Sequence, residues 1–275
     1  MKPLLKWAGG KRHIAGVLEN NLPSDWNTGT YFEPFLGGAA FFLHLAPKRA
    51  HLSDVNRKLI GFYKEVRDNP IELYSSIEGV ARRFDSLPEN ERKEFFLGLR
   101  ANFNKSQDSH ENSTLFYILN KLCFNGLYRE NSKGEFNVPF GQKKRFPSLS
   151  KEDFLKVSSG LKGAEIEVSD FESTVAKSVE GDFVYFDPPY VPVNATSSFT
   201  TYSAEGFGLS DQRRLAETLS ELRERGVKAM LSNSHTPLTS EIFSEFRQIK
   251  ISAPRMVSAN GKARGMIDEL LVLNY

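Results

Sequence analysis

The chain has one cysteine, Cys123, which excludes an intrachain disulfide and fits a reducing compartment. There is no second thiolate, and the five histidines are scattered at 13, 44, 51, 110 and 235. No metal-ligand spacing is present, and no metal is expected. Long apolar runs are missing as well. Nothing approaches the roughly 20 apolar residues that cross a bilayer, and the opening MKPLLKWAGGK has too short an apolar stretch for a secretory leader. A cytosolic protein without membrane attachment is expected. A strong charge of one sign is also absent. The formal net charge is +2, so composition alone gives no warrant for a nucleic-acid partner. The sequence shows no repeat, no low-complexity segment and no G-x-G-x-x-G fingerprint of flavin or nicotinamide binding.

The chain does have 275 residues, 40% hydrophobic and 25% charged, enough for one large core with a smaller inserted lobe. Thr30 to Phe35 reads as a strand, Leu36-Gly37-Gly38 as a turn and Ala39 to Leu45 as a helix. Arg49 to Leu52 reads as a second strand ending in Ser53-Asp54, followed by a helix from Val55 to about Arg67. From Asn69 to Lys121 the apolar residues recur at helical spacing with no convincing strand, and Glu135 to Pro147 reads as a hairpin or irregular loop. Strands resume at Ala164 to Val168, Asp182 to Phe186 and Val227 to Leu231. A helix from Asp211 to Arg225, with Ser210 as N-cap and Gly226 past its end, joins the last two. Ile267 to Leu273 closes the chain as a strand. The expectation is an open α/β sheet interrupted by a mainly helical insert.

Three constellations carry chemistry. Asp187-Pro188-Pro189-Tyr190 stands at the carboxyl end of an apolar strand, where open α/β sheets place ligands. The prolines stiffen the backbone and supply no N–H, so the Asp187 carboxylate and the Pro188 carbonyl form a pair of acceptors for the two donors of an exocyclic NH₂. Tyr190 offers a flat surface for a base. The plain alternative is a proline turn. Next, Gly37-Gly38 lets the backbone approach a ligand, and Asp54, at the next strand end, suits a ribose diol. The third is Lys6-Trp7-Ala8-Gly9-Gly10-Lys11, where Trp7 alone reads equally as core or as ligand wall. The basic runs Lys121 to Arg129 and Lys143-Lys144-Arg145 offer either a binding face or simply a solvated surface.

In order along the chain, K-W-A-G-G-K, E-P-F-x-G-G, F-N-G-L-x-R, E-F-N-V-P-F-G, Y-F-D-P-P-Y and N-G-x-x-R-x-x-x-D-E-L-L resemble the Dam-type, D12 class alpha-group DNA adenine-N6 methyltransferases. The resemblance implies a Rossmann-like S-adenosylmethionine-dependent sheet over 1–60 and 160–275, with an inserted target-recognition lobe over 61–159. It further implies methyl transfer to a flipped-out adenine in double-stranded DNA, within GATC, by a monomer in a bacterial cell or phage-infected host.

By the same resemblance Trp7, Lys11, Gly37 and Asp54 line the cofactor pocket, with Asp54 on the ribose and Lys11 near the methionine end. Asp170 and Phe171 correspond to contacts of the cofactor's adenine ring. Asp187, Pro188 and Tyr190 correspond to the catalytic motif, with Asp187 also bordering the cofactor, and Ser198 to Tyr202 to a loop over the flipped base. Cys123 is then no nucleophile. Lys6, Phe124, Asn125, Leu127, Arg129 and Pro139 align with positions that contact the DNA site. Arg suits guanine O6 and N7, Leu and Pro suit a thymine methyl, and Phe124 suits the gap the adenine leaves. The sequence departs from the family after Phe140-Gly141, where arginine and tyrosine are usual and Gln142 and Lys143 stand here. This puts one phosphate contact and one stacking contact in doubt, for which Lys143, Lys144 and Arg145 are candidate substitutes. Two alternatives remain at this stage. One is a methyltransferase for another planar amino group, whose relatives favour N-P-P-Y. The other is a DNA-binding module with decayed catalysis.

Overall fold

The computed structural model describes residues 1–147, 150–190, 207–254 and 266–275. Ser198 to Tyr202, and the Asn260 to Arg264 part of the tail motif, lie outside them.

The fold is a Rossmann-like α/β arrangement on one seven-stranded, mostly parallel sheet. The strands are β1 (Tyr31–Glu33), β2 (Ala50–Asp54), β3 (Ala164–Val168), β4 (Phe183–Phe186), β5 (Lys228–Ser234), β6 (Arg247–Pro254) and β7 (Met266–Leu273), in the order β3-β2-β1-β4-β5-β7-β6. β1 runs parallel to β2 and β4, and β4 runs parallel to β5. β7 lies antiparallel between β5 and β6. The helices are α1 (Ala15–Glu19), α2 (Ala40–Leu45), α3 (Arg57–Asp68), α4 (Pro70–Ser86), α5 (Arg92–Lys105) and α6 (Ser109–Leu122), then α7 (Lys151–Leu161), α8 (Phe171–Val175), α9 (Leu209–Glu224) and α10 (Pro237–Ile242). No helix among the described residues is long and apolar enough to cross a membrane.

The chain forms two compact units. The first comprises Met1–Gly10, Gly37–Ala46 and Asp54–Val168. Its helices start where the sequence supplies caps: the Asn56 side chain accepts from the Lys58 and Leu59 amides, Asp108 from Glu111, and Ser150 from Asp153. α3 buries Leu59, Ile60, Phe62, Tyr63 and Val66, and the Phe62 ring stacks on Phe116 and Tyr117 of α6. α6 is buried from Ser113 to Asn120, as expected of a helix apolar nearly all round.

The second unit comprises Lys11–Leu36, Pro47–Ser53 and Ser169–Tyr275. Its core joins Val184 and Phe186 of β4, Ala229 and Leu231 of β5, and Leu270 and Val272 of β7 to the stripe Leu215, Leu219 and Leu222 of α9. Each such leucine, fully removed from water, stabilises by about 1.5–3 kcal/mol. α9 begins earlier than its periodicity implies. Its N-cap is Gly208 rather than Ser210, because the Asp211 carboxylate reaches back to the Gly208 amide at 2.8 Å. β6 is a strand the periodicity did not single out. It is an edge strand in which Ile249 and Ile251 alternate with exposed Lys250 and Ser252. Residues 135–147 carry only isolated bridges among the described residues, Glu130 with Phe136 and Cys123 with Phe140.

Candidate active site

Within the second unit, β4 delivers the Asp187-Pro188-Pro189-Tyr190 turn at its carboxyl end. All four strand residues, Phe183 to Phe186, are buried, which fixes where the turn starts. Gln212 of α9 is fully buried. It donates from Nε2 to the Pro189 carbonyl at 3.1 Å and accepts from Asn233 Nδ2 at 2.9 Å, so the turn is tied to α9 and β5.

The Asp187 side chain is 20% exposed. Lys11 Nζ lies 2.6 Å from its Oδ1, and the Ser232 hydroxyl donates to the same oxygen at 3.3 Å. Both partners therefore act on Oδ1. Burial raises the Asp187 pKa above its ordinary value; the Lys11 ammonium opposes that shift and Glu269 adds to it. Lys11, only 2% exposed, also lies 4.4 Å above the Tyr190 ring. The Tyr190 hydroxyl donates to Glu269 Oε2 at 2.7 Å. Burial first, then Asp187 and Glu269, hold its pKa well above the usual phenol value, so it remains a donor. Asp170 caps α8 through the Glu172 amide at 3.0 Å and accepts from Arg214 at 3.2 Å on the same oxygen. Phe171 is buried, stacked on Phe35 at 5.5 Å with the Arg214 guanidinium 4.8 Å from its ring.

Within the first unit, Asp54 closes a loop onto Gly37. Its Oδ2 accepts from the Gly37 amide at 3.1 Å and its Oδ1 from Asn56 at 2.9 Å, while burial raises its pKa. The Gly37 amide, in the turn expected to approach a ligand, is bonded to Asp54. Glycine is required there for two reasons: φ is +45°, and a Cβ would come within 2.7 Å of the Trp7 indole. The indole in turn stacks on Tyr128 at 5.7 Å.

The same unit assembles the expected DNA residues. Asn120 clamps the Lys6 backbone from both sides, accepting from its amide at 2.9 Å and donating to its carbonyl at 2.7 Å, and it also reaches the Gly126 carbonyl at 3.2 Å. Asn125 and Gly126 both have positive φ, and a Cβ on Gly126 would strike the Lys6 side chain. The resulting turn exposes Phe124 by 50% and Leu127 by 37%. The Phe124 amide donates to the Pro139 carbonyl at 2.9 Å, and Arg129 Nε donates to Asn137 at 2.7 Å. Lys144 is exposed, with its carbonyl held by Arg92; Lys143 is half-buried. Lys121 is a poorer surface cation than the sequence suggests. Burial, followed by Lys6, pushes its pKa down to about 8, and its ammonium lies 5.0 Å from the Tyr117 ring. Burial pushes the Cys123 thiol up to about 11, so it is not a thiolate at neutral pH.

Sequence reading gives no role to Ser232, to Glu269, which falls in the D-E-L-L tail motif, or to His13, whose Nε2 lies 3.5 Å from Glu269 Oε1. Signals were present. The run Ser232-Asn233-Ser234 is polar yet ends a buried strand, and Glu269 is an acid in a strand that is otherwise apolar from Leu270 onward.

Residues 7–257 match the family described as D12 class N6 adenine-specific DNA methyltransferase. Among curated relatives, the type II methyltransferase M1.LlaDCHI of Lactococcus lactis subsp. cremoris is 40% identical, covering 100% of this chain and 96% of its own length. The type II methyltransferase M.MjaIII of Methanocaldococcus jannaschii is 41% identical over 100% of this chain and 99% of its own. The DNA adenine methylase of Escherichia coli is 35% identical over 99% and 95%. With a family match over nearly its whole length and relatives aligned end to end, the chain belongs to the D12 class of N6 adenine-specific DNA methyltransferases.

Proposed function

We propose that this methyltransferase uses S-adenosylmethionine and acts on an adenine flipped out of duplex DNA within GATC, as a cytoplasmic monomer. The observation that carries the reading is the division of labour on Asp187: among the described residues Lys11 and Ser232 both engage Oδ1, which leaves Oδ2 to accept from a substrate amine. With the Pro188 carbonyl as the second acceptor, the two N6–H bonds are held and the nitrogen lone pair is turned out of conjugation with the ring. Burial of Asp187 also makes its carboxylate a better acceptor for the proton that the methylated amine sheds. Tyr190 provides the surface on which the base rests.

The donor set suits the cofactor. Asp54 Oδ2 accepts from the Gly37 amide and Oδ1 from the Asn56 amide, and a carboxylate has lone pairs for further donors, which suits a vicinal ribose diol. When bound, S-adenosylmethionine supplies an electrophilic methyl carbon. Trp7, Gly37, Lys11 and Asp187 are assigned to its pocket with Asp54, and Asp170 and Phe171 to its adenine ring.

Residues 61–159 are assigned as the target-recognition lobe, and 1–60 with 160–275 as the cofactor and catalytic domain. Half-exposed Phe124 suits a wedge between bases, and exposed Leu127, with Pro139, suits a thymine methyl. Arg129 and Lys6 are assigned to guanines, Asn125 to the same site, and Lys143 and Lys144 to phosphates. A tritiated-methyl transfer assay on a GATC duplex and on single-substitution duplexes tests the reading. Label confined to GATC is expected; equal label on altered sites removes the specificity assignment, and a DNA shift without label removes the catalytic one.

A further inference from the structure

The Tyr190 hydroxyl ends on a carboxylate whose place in the sheet is unusually well fixed. Glu269 sits mid-strand in β7, paired with Ser234 of β5 on one side and Ile251 of β6 on the other. Its side chain is 9% exposed, and an acid so buried is costly unless its oxygens are used. One oxygen takes the Tyr190 hydroxyl and the other faces His13. Tyr190 is thereby fixed from three directions: its hydroxyl on β7, its face under the Lys11 ammonium, and its backbone by the proline turn that Gln212 holds.

We propose that Glu269 is a positioning residue for methyl transfer, aiming the Tyr190 ring at the target base through the hydroxyl hydrogen bond. This rests on the assignment of Tyr190 as the surface for that base. Glu269 acts through tyrosine and has no contact with substrate of its own. The competing account is that Glu269 only completes the fold, in which case its loss changes stability and leaves turnover alone.

The test uses the full chain at saturating cofactor, with kcat and KM for duplex DNA measured for Glu269→Ala, Glu269→Gln, Tyr190→Phe, Tyr190→Ala and the double variant Glu269→Ala/Tyr190→Phe. Losing one oriented hydrogen bond is expected to lower kcat about tenfold in Glu269→Ala and Tyr190→Phe, with KM nearly unchanged. Glu269→Gln, whose amide oxygen still accepts, is expected within about threefold of wild type, and the double variant no slower than Tyr190→Phe. Should Glu269→Ala not fold, Glu269→Leu fills the strand position without accepting. The inference is overturned if the two losses multiply, if glutamine fails as badly as alanine, or if Glu269→Ala turns over like wild type. Tyr190→Ala separates the two readings. A wild-type rate there sinks the assignment of Tyr190 itself, whereas a slow Tyr190→Ala beside an unaffected Glu269→Ala sinks only the role of Glu269.

Discussion

Lys11 Nζ lies 2.6 Å from Asp187 Oδ1, so the acceptor at the end of β4 is matched with a buried cation. The pair sets a pH dependence. Burial raises the Asp187 pKa above 3.8 and Lys11 pulls it down. Between 3.8 and the raised value the folded chain holds a proton the unfolded chain has lost, so this group's stabilisation falls as pH rises. Activity runs the other way, because the ionised form is the acceptor. Lys11→Met removes the lowering influence and is expected to move the acid limb of kcat/KM to higher pH. A limb that stays in place means the ammonium does not tune the carboxylate.

Asp187→Ala is expected to abolish methylation while cofactor binding is largely retained, since Asp187 borders the cofactor but its main part is to orient the amine. Asp187→Asn should be nearly as inactive. Either variant retaining more than about a tenth of the wild-type rate, a loss under roughly 1.4 kcal/mol, contradicts the role.

For Asp54→Ala, weaker S-adenosylmethionine binding is expected, by about 1.5–3 kcal/mol for each charge-assisted ribose hydrogen bond lost. The substitution also strips the Gly37 and Asn56 amides of their acceptor, so unfolding should be followed beside calorimetry. An unchanged dissociation constant in a folded variant places the ribose elsewhere.

Asn120 is 4% exposed and makes three hydrogen bonds to backbone groups of Lys6 and Gly126. Its replacement by alanine leaves those groups unmatched and is expected to destabilise by about 2–4 kcal/mol. Denaturant unfolding reads this directly; a change below about 0.5 kcal/mol would mean that water replaces the side chain without loss.

Arg129 and Lys144 should fail in different ways. Arg129→Ala is expected to cost about 1–3 kcal/mol in kcat/KM on GATC and much less on a duplex already altered at the base pair it reads. Lys144→Ala should weaken all sequences alike and flatten the salt dependence, because one fewer counterion is released. Equal losses of Arg129→Ala on matched and altered sites reduce it to a backbone contact.

Much of this was legible because local rules decided it. Phe183 to Phe186 is continuously apolar and is followed by Asp187 and two prolines, so both the strand and the position of Asp187 follow from sequence. The spacing of Leu59, Phe62 and Val66 likewise marks α3, though the helix starts at Arg57 behind the Asn56 cap and not at Val55. Elsewhere tertiary context decided. Nothing in the segment around Lys11 announces an ion pair with Asp187, because the partners lie far apart along the chain and meet only in the folded structure. β6 escaped because an edge strand needs only one apolar face, and Lys250 and Ser252 break the pattern. Ser210 has the better capping side chain, yet the reciprocal bond from Asp211 places the cap at Gly208. The Gly37-Gly38 turn reads from sequence as a place where backbone meets ligand; the neighbour that also requires glycine there, the Trp7 indole, comes from tertiary packing that the local sequence does not announce.

The chain passes from one compact unit to the other after Gly10, Leu36, Ala46, Ser53 and Val168, five times in all. Neither unit is a cassette that can be cut at two points. A chimera that took residues 54–168 from a relative and kept its own amino terminus would set the Asn120 of one parent against the Lys6 backbone of the other, across the two shortest bonds of that clamp. Under the proposed assignment of 61–159 as the target-recognition lobe and of Lys6 as a base contact, exchange of sequence preference between members of this class moves Met1–Gly10 with the lobe, and inheritance of specificity is split between distant stretches of the gene.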